Sequence, residues 1–307
     1  MLFTVEHPLG RPDCSPDFIA KQGLVDFAIA IEGAGFDAVA FTEHPAPSRK
    51  WLDSGGHRSV DPLVALGFCA AVTNRIRLVT YLLVLPYRNP LLAAKSIATV
   101  DVLSDGRLVV GAGSGYLRSE FAALGVDFEQ RTQLLDEALQ VLREVWLGET
   151  YVRDGYHFSA RGQVCLPAPV QLPHPPIWIG GNSRSGRRRV ARLAQGWTPL
   201  LLDEHTANTT RTPPLTTPAE LATAIADLHE LAEEAGRDPA AIEVQVQSPQ
   251  SAFLTDDTMS TEQHRDHLGQ LAEAGVTSFV VQVPADDVEH ARDGLHRYAA
   301  DFGTYVG

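Results

Sequence analysis

Three cysteines, Cys14, Cys69 and Cys165, stand in a chain of 307 residues, an odd number without metal-type spacing. That rules out a disulfide framework or a cysteine metal centre and fits a reduced cytoplasm. Lysine is almost absent: Lys21, Lys50 and Lys95 are the only ones among 25 basic residues. Positive charge is outnumbered by 38 acidic residues, and the net charge is −13. Nucleic acid and anionic membrane surfaces are therefore not expected partners, because both need basic patches. The one dense basic run, Arg187-Arg188-Arg189, falls in an expected helix and reads as a solvated face. No apolar stretch approaches the roughly 18 residues of a membrane helix. Met1 leads into Leu2-Phe3-Thr4-Val5 with no basic start, so no secretory leader is expected. The 11 histidines, among them His205, His264 and His267, show no ligand spacing, so no metal site is expected. No serine sits in a nucleophile elbow.

What is present is alternation. Leu2–Glu6, Asp37–Thr42, Ile76–Leu85, Arg107–Ala112, Pro176–Gly180, Gly196–Leu200, Ile242–Gln247 and Ser278–Val283 read as short apolar strands. Helical stretches lie between them. Ser15-Pro16, Asp61-Pro62, Asn89-Pro90 and Thr217-Pro218 each pair an N-cap residue with proline at the first helical position. Phe18, Val25, Ala28 and Ile29 are expected on one face of the first helix. Tyr151–Phe158 reads as a small hairpin, and Leu201–Thr216 as a loop longer than barrel turns need, of the kind used as lids or left disordered. Eight strand–helix repeats imply parallel pairing by right-handed crossovers, most economically closed as a (β/α)8 TIM barrel with insertions in the βα loops. A doubly wound sheet is the alternative, but no G-x-G-x-x-G follows the first strand. No repeat or composition shift divides the chain, so residues 1–307 read as one domain.

Barrel chemistry sits where strands end. The second strand ends in Glu43-His44, an acid beside the side chain best suited to proton transfer near neutral pH; a histidine hydrogen-bonded at the rim is the structural alternative. His7, after the first strand, is as readily a packing residue. Gly113-Ser114-Gly115-Tyr116 and Gly180-Gly181-Asn182-Ser183-Arg184 end two further strands. Glycine lets backbone N–H groups approach an anion, and the second loop opens a helix whose N-terminus favours negative charge. Such loops also exist simply to reverse the chain.

Three segments resemble the luciferase-like flavin and deazaflavin oxidoreductases. They are Leu83-Val84-Leu85-Pro86-Tyr87-Arg88-Asn89-Pro90 with the stretch before it from Asp61, Asp101-Val102-Leu103-Ser104-Asp105-Gly106-Arg107 running to Tyr116, and Pro176-Ile177-Trp178-Ile179-Gly180-Gly181 running to Trp197. The resemblance implies a cofactor ring at the C-terminal mouth of the barrel. It implies Glu43 and His44 as the acid and histidine beside the reactive ring. It implies Tyr81, Leu82 and Val84 under the ring, with a non-proline cis peptide at Tyr81–Leu82. Ser114, Gly115, Tyr116, Ser119, Gly180, Gly181, Ser183 and Arg184 are implied around the phosphate tail. Relatives usually pair as homodimers through helices two and three. Tyr116 stands where the sugar-phosphate dehydrogenase branch has a catalytic Glu, which speaks against that substrate.

The similarity to the deazaflavin branch points to coenzyme F-420 and hydride transfer to or from a small organic substrate. An arginine-rich, lysine-poor composition suits the high-GC bacteria that make this cofactor. F-420 also carries an acidic lactyl-glutamate tail beyond its phosphate, which Arg184, Arg187 and Arg188 are placed to meet if they are not solvated surface. The rival readings are an FMN-dependent monooxygenase using O2 and an external flavin reductase, and a non-catalytic flavin-binding protein.

Overall fold

The computed structural model describes residues 1–11 and 13–303. In chain order its strands and α-helices are β1 Leu2–Glu6, α1 Lys21–Gly33, β2 Ala38–Phe41, α2 Arg49–Asp53, α3 Pro62–Ala70, β3 Arg77–Thr80, β4 Leu83–Val84, α4 Pro90–Leu103, β5 Leu108–Gly113, α5 Arg118–Ala123 and α6 Arg131–Val145. There follow β6 Tyr151–Asp154, β7 Ser159–Gln163, β8 Ile177–Gly180, α7 Arg184–Leu193, β9 Gly196–Thr198, α8 Glu204–Thr210, α9 Pro218–Glu234, β10 Glu243–Val246, α10 Thr261–Glu273, β11 Ser278–Gln282 and α11 Val288–Phe302. Parallel pairing runs β1-β2-β3-β5-β8-β9-β10-β11 and returns to β1, with β4 continuing β3 along β5. The sheet is a closed (β/α)8 barrel, as the alternation predicts.

The expected caps form. Asp61 accepts from the N–H groups of Leu63 and Val64, Asn89 from Leu91, and Thr217 from Glu220. Each satisfies N–H groups that a helix start would otherwise leave unpaired. Ser15 differs: it caps a 3-10 turn over Pro16–Ile19, and α1 begins only at Lys21. The buried stripe of α1 is therefore Phe27, Ala28 and Ile31, and Ile29 is exposed. The strand expected over Ile76–Leu85 is broken after Thr80, and the Tyr81–Leu82 peptide is cis. The hairpin reaches Gln163, beyond the expected Phe158. The long loop after Leu201 is ordered by α8 and by a bridge between Leu202 and Leu215.

The main core lies between the barrel and its helices, and a smaller cluster of Ala38, Ala40, Val79, Val109, Trp178 and Val280 fills the barrel itself. Gly196 makes room there: a Cβ would stand 2.2 Å from the Trp178 indole. Below the mouth the interior turns polar, with Thr4 Oγ1 donating to Gln245 Oε1 at 2.6 Å. The motif ending at Arg107 proves structural. Arg107 donates to the carbonyls of Ala70, Thr73 and Ile76 and to Thr73 Oγ1 at the start of β5, the end of the barrel away from the mouth. Asp101 anchors the Val170-Gln171 loop through both backbone N–H groups and the Gln171 amide.

Candidate active site

A cavity of about 310 Å³ opens at the C-terminal ends of the strands, lined by Glu6, Glu43, His44, Tyr81, Leu82 and Tyr116 among others. A second cavity of about 310 Å³ adjoins it and shares Leu82, Gly113, Gly115, Tyr116 and Gly181. The two lobes form one elongated space, with the Leu82 side chain between them. Leu82 lies across the glycine ends of two strands. A Cβ on Gly113 would come within 3.1 Å of Leu82 Cδ1, and one on Gly180 within 2.1 Å. Gly180 is thus glycine because a leucine packs on it, and Gly115 because its φ of 75° is a left-handed conformation.

His44 is buried where β2 ends. Its Nδ1 lies 3.0 Å from Glu120 Oε2, and its Nε2 lies 3.2 Å from the Tyr116 hydroxyl. Glu120, fully buried on α5, also accepts from the Tyr87 hydroxyl and the Ala46 N–H. With donors on both oxygens, the Glu120 carboxylate takes the Nδ1 proton as a third bond. With Nδ1 donating to Glu120, His44 turns its Nε2 to the cavity, where the Tyr116 O–H meets it. Burial, with the nearby Glu120 charge, pushes the Tyr116 phenol up to about 12, so it is a neutral donor. Trp51 and His57 cover the outer side of the imidazole, with ring centroids 4.7 and 4.9 Å away. Burial lowers His57 to about 4.

Glu43 does something different from its neighbour. It accepts from the Val84 N–H at 2.6 Å and forms an ion pair with Arg88, which also reaches Asp61. It thereby pins β4 against β2. Burial raises its carboxyl above the ordinary value, against the pull of Arg88. Glu6 is likewise raised by burial and accepts from Gln282 Nε2 at 2.9 Å and Gln247 Nε2 at 3.3 Å; Gln247 in turn accepts from the Tyr81 hydroxyl. His7 turns away into the core, stacked on Phe41, with Nε2 near the Phe18 carbonyl.

The second lobe is cationic. Arg131, Arg189 and Arg211 line it with Ser114, Ser183 and Gly186. Arg131 and Arg211 face the Phe128 ring, and Arg189 is held by Asp136. Ser183 accepts from the Gly186 N–H and caps α7. An elongated ligand with a flat ring and an anionic end fits this shape.

Of the residues singled out from sequence, Glu43, His44, Tyr81, Leu82, Val84, Gly115, Tyr116 and Gly181 line the first lobe, and Ser114, Gly180 and Ser183 the second. Two stand elsewhere. Ser119 is exposed on α5 and lines neither lobe. Arg184 is drawn off by α9, its Nε donating to Asp227 Oδ1 at 2.8 Å, and Arg187 takes the other oxygen. Sequence reasoning missed Glu120, Arg131, Arg189 and Arg211. Glu120 carried a signal, an acid directly before the apolar Phe121-Ala122-Ala123-Leu124. Arg189 was hidden in a run read as solvated.

Known proteins share this architecture. An F-420-dependent glucose-6-phosphate dehydrogenase of Microbacterium testaceum is 33% identical over 187 residues, 60% of this chain and 54% of that protein. Among solved structures, the monooxygenase RslO1 of Streptomyces bottropensis superposes with a TM-score of 0.77 at 21% identity over the full length of both chains. An F-420-dependent secondary alcohol dehydrogenase, solved with an F-420–acetone adduct, gives 0.76 at 17% identity, covering 98% of each chain. The sequence profile of the luciferase-like monooxygenases matches residues 3–303. The chain belongs to the luciferase-like monooxygenase family.

Proposed function

We propose that this protein is an oxidoreductase that moves a hydride between coenzyme F-420 and a small organic substrate. The observation that carries the reading is the two-lobed cavity, which sets the His44–Glu120–Tyr116 group at one end and three arginines at the other. Bound there, the deazaflavin supplies the hydride chemistry. The chain supplies the rest. Leu82 and Val84 form an apolar shelf for a ring, and Arg131, Arg189 and Arg211 receive a phosphate. Glu120 orients His44, and the Tyr116 hydroxyl holds a proton against His44 Nε2 at the cavity wall. Sequence relatives named as F-420-dependent, 33% and 32% identical over 60% of the chain, support the deazaflavin.

In this reading residues 1–307 act as one domain, in the cytoplasm, where Cys14, Cys69 and Cys165 stay reduced. The protein pairs as a homodimer through α3 and α4, whose Val64 and Leu92 are 74% and 69% exposed. The test is purification from a host that makes both cofactors, followed by mass and absorbance of what is retained. F-420 is expected. FMN retained without any deazaflavin affinity would replace this reading with an O2-using monooxygenase served by a separate flavin reductase. A retained cofactor with no turnover on any substrate class would leave a binding protein.

A further inference from the structure

Outside the second lobe, α6 and α7 enclose an open groove of about 900 Å³. The two spaces share Ser185 and Arg189, so the groove begins where the cationic lobe ends. On α7, Ser185, Arg188, Arg189 and Arg192 fall three or four apart and share one face. Gln140, Arg143 and Glu144 answer from α6. Seven residues of helix rise separate Ser185 from Arg192, about 10 Å, enough for more than one carboxylate along the groove.

Its charge is unusual for this molecule. The two carboxylates in the groove already have partners. Asp136 holds Arg189, with Nη2 to Oδ2 at 3.1 Å, and Glu144 accepts from Arg153 Nη1 and the Tyr151 hydroxyl at 3.2 Å each. Arg143, Arg188 and Arg192 are exposed and make no hydrogen bond or ion pair among the described residues. Three guanidinium groups without an ion pair thus line one channel in a chain of net charge −13, two of them, Arg188 and Arg192, at its border with a hollow beside Glu234.

We infer that this groove holds the carboxylate tail of a cofactor whose phosphate sits in the second lobe, with Arg188, Arg192 and Arg143 as its contacts. The inference rests on the proposed deazaflavin reading and deepens it, since FMN ends at its phosphate and leaves the groove empty. It also moves the tail from Arg184 and Arg187, whose guanidinium groups Asp227 occupies, to the adjoining face of α7 that borders α6. The α7 N-terminus and Arg189 mark the exit, and the arginines without an ion pair mark the path.

The test compares binding of F-420 bearing several glutamates with its tail-less deazaflavin 5′-phosphate, by fluorescence titration of apo protein. Wild type should favour the tailed form by about tenfold, near 1.4 kcal/mol. That preference should shrink between about 0.05 M and about 0.5 M salt, because exposed charge contacts are screened. The triple variant Arg143→Ala, Arg188→Ala, Arg192→Ala should lose the preference while binding the tail-less form as wild type does. The double reversal Arg188→Glu, Arg192→Glu should turn it into a penalty. Wild type that binds both deazaflavins equally, or a triple variant that keeps the full preference, would sink the groove and leave the cofactor reading standing. Wild type that takes FMN but neither deazaflavin would overturn both.

Discussion

The Glu120 carboxylate lies 3.0 Å from His44 Nδ1 across 76 residues of sequence, and the same carboxylate accepts from Tyr87 and from the Ala46 N–H. It joins the end of β2, the turn after β4 and α5 at one buried point. The acid beside His44 in sequence, Glu43, is turned to Arg88 and Val84 instead.

Two variants should separate these roles. His44→Ala is expected to lower turnover about a hundredfold or more with little change in cofactor affinity. Glu120→Ala leaves the buried His44 Nδ1, the half-buried Tyr87 hydroxyl and the Ala46 N–H without their acceptor, so it should cost about 2 kcal/mol of stability as well as turnover. Equilibrium denaturation and steady-state kinetics on the same preparations read both. A Glu120→Ala protein as stable as wild type would show that water replaces the carboxylate. Equal losses of binding and turnover in His44→Ala would make that residue a seat for the cofactor.

The cationic lobe makes a prediction that differs from the sequence-based one. Arg131→Ala should weaken a phosphate-bearing flavin or deazaflavin by about tenfold or more, and leave the dephosphorylated form unaffected. Arg184→Ala should change neither, because that guanidinium serves Asp227. Titration of both variants with both ligand forms decides it. A loss of phosphate affinity in Arg184→Ala would return the anion to the exposed side of α7.

Acid should destabilise the fold through its buried histidines. Burial lowers His7 to about 3 and His57 and His264 to about 4, so each stays neutral when folded. The unfolded chain binds more protons below the ordinary histidine value of 6.5. Stability from these groups is therefore complete above that value and is lost as pH falls towards their folded values. His7 alone should account for about 2 kcal/mol between about pH 7 and about pH 5. Urea denaturation across that range should show the slope, and His7→Phe should flatten it by that amount. An unchanged slope would place the titration elsewhere.

Gly180 tests the cradle. Gly180→Ala brings a Cβ to within 2.1 Å of Leu82 Cδ1, so Leu82 must move off the strand ends. Overpacking of this kind costs about 1–3 kcal/mol. Cofactor affinity should fall with stability, and Leu82→Ala in the same chain should recover part of both. Full cofactor affinity in Gly180→Ala alone would show that Leu82 does not shape the cavity.

Much of this was readable before any coordinates. Strand and helix periods, and Asp61, Asn89 and Thr217 ahead of their prolines, are local properties, and a few consecutive residues settle them. Eight such repeats leave the barrel as the economical closure. His44 was legible because barrel chemistry gathers at strand ends, and Gly113 to Tyr116 because glycine leaves a local mark.

What only the tertiary structure decided is who partners whom. Glu120 and His44 are far apart in the chain, and no spacing rule links α5 to the end of β2. Arg184 and Arg189 look alike in sequence, yet α9 offers Asp227 to one and α6 offers Asp136 to the other. One turns away from the cavity and the other lines it. The physical reason is range. Helix caps and strand periods depend on neighbours a few residues away, whereas a charge finds its partner through the packing of elements that meet only once the barrel has closed.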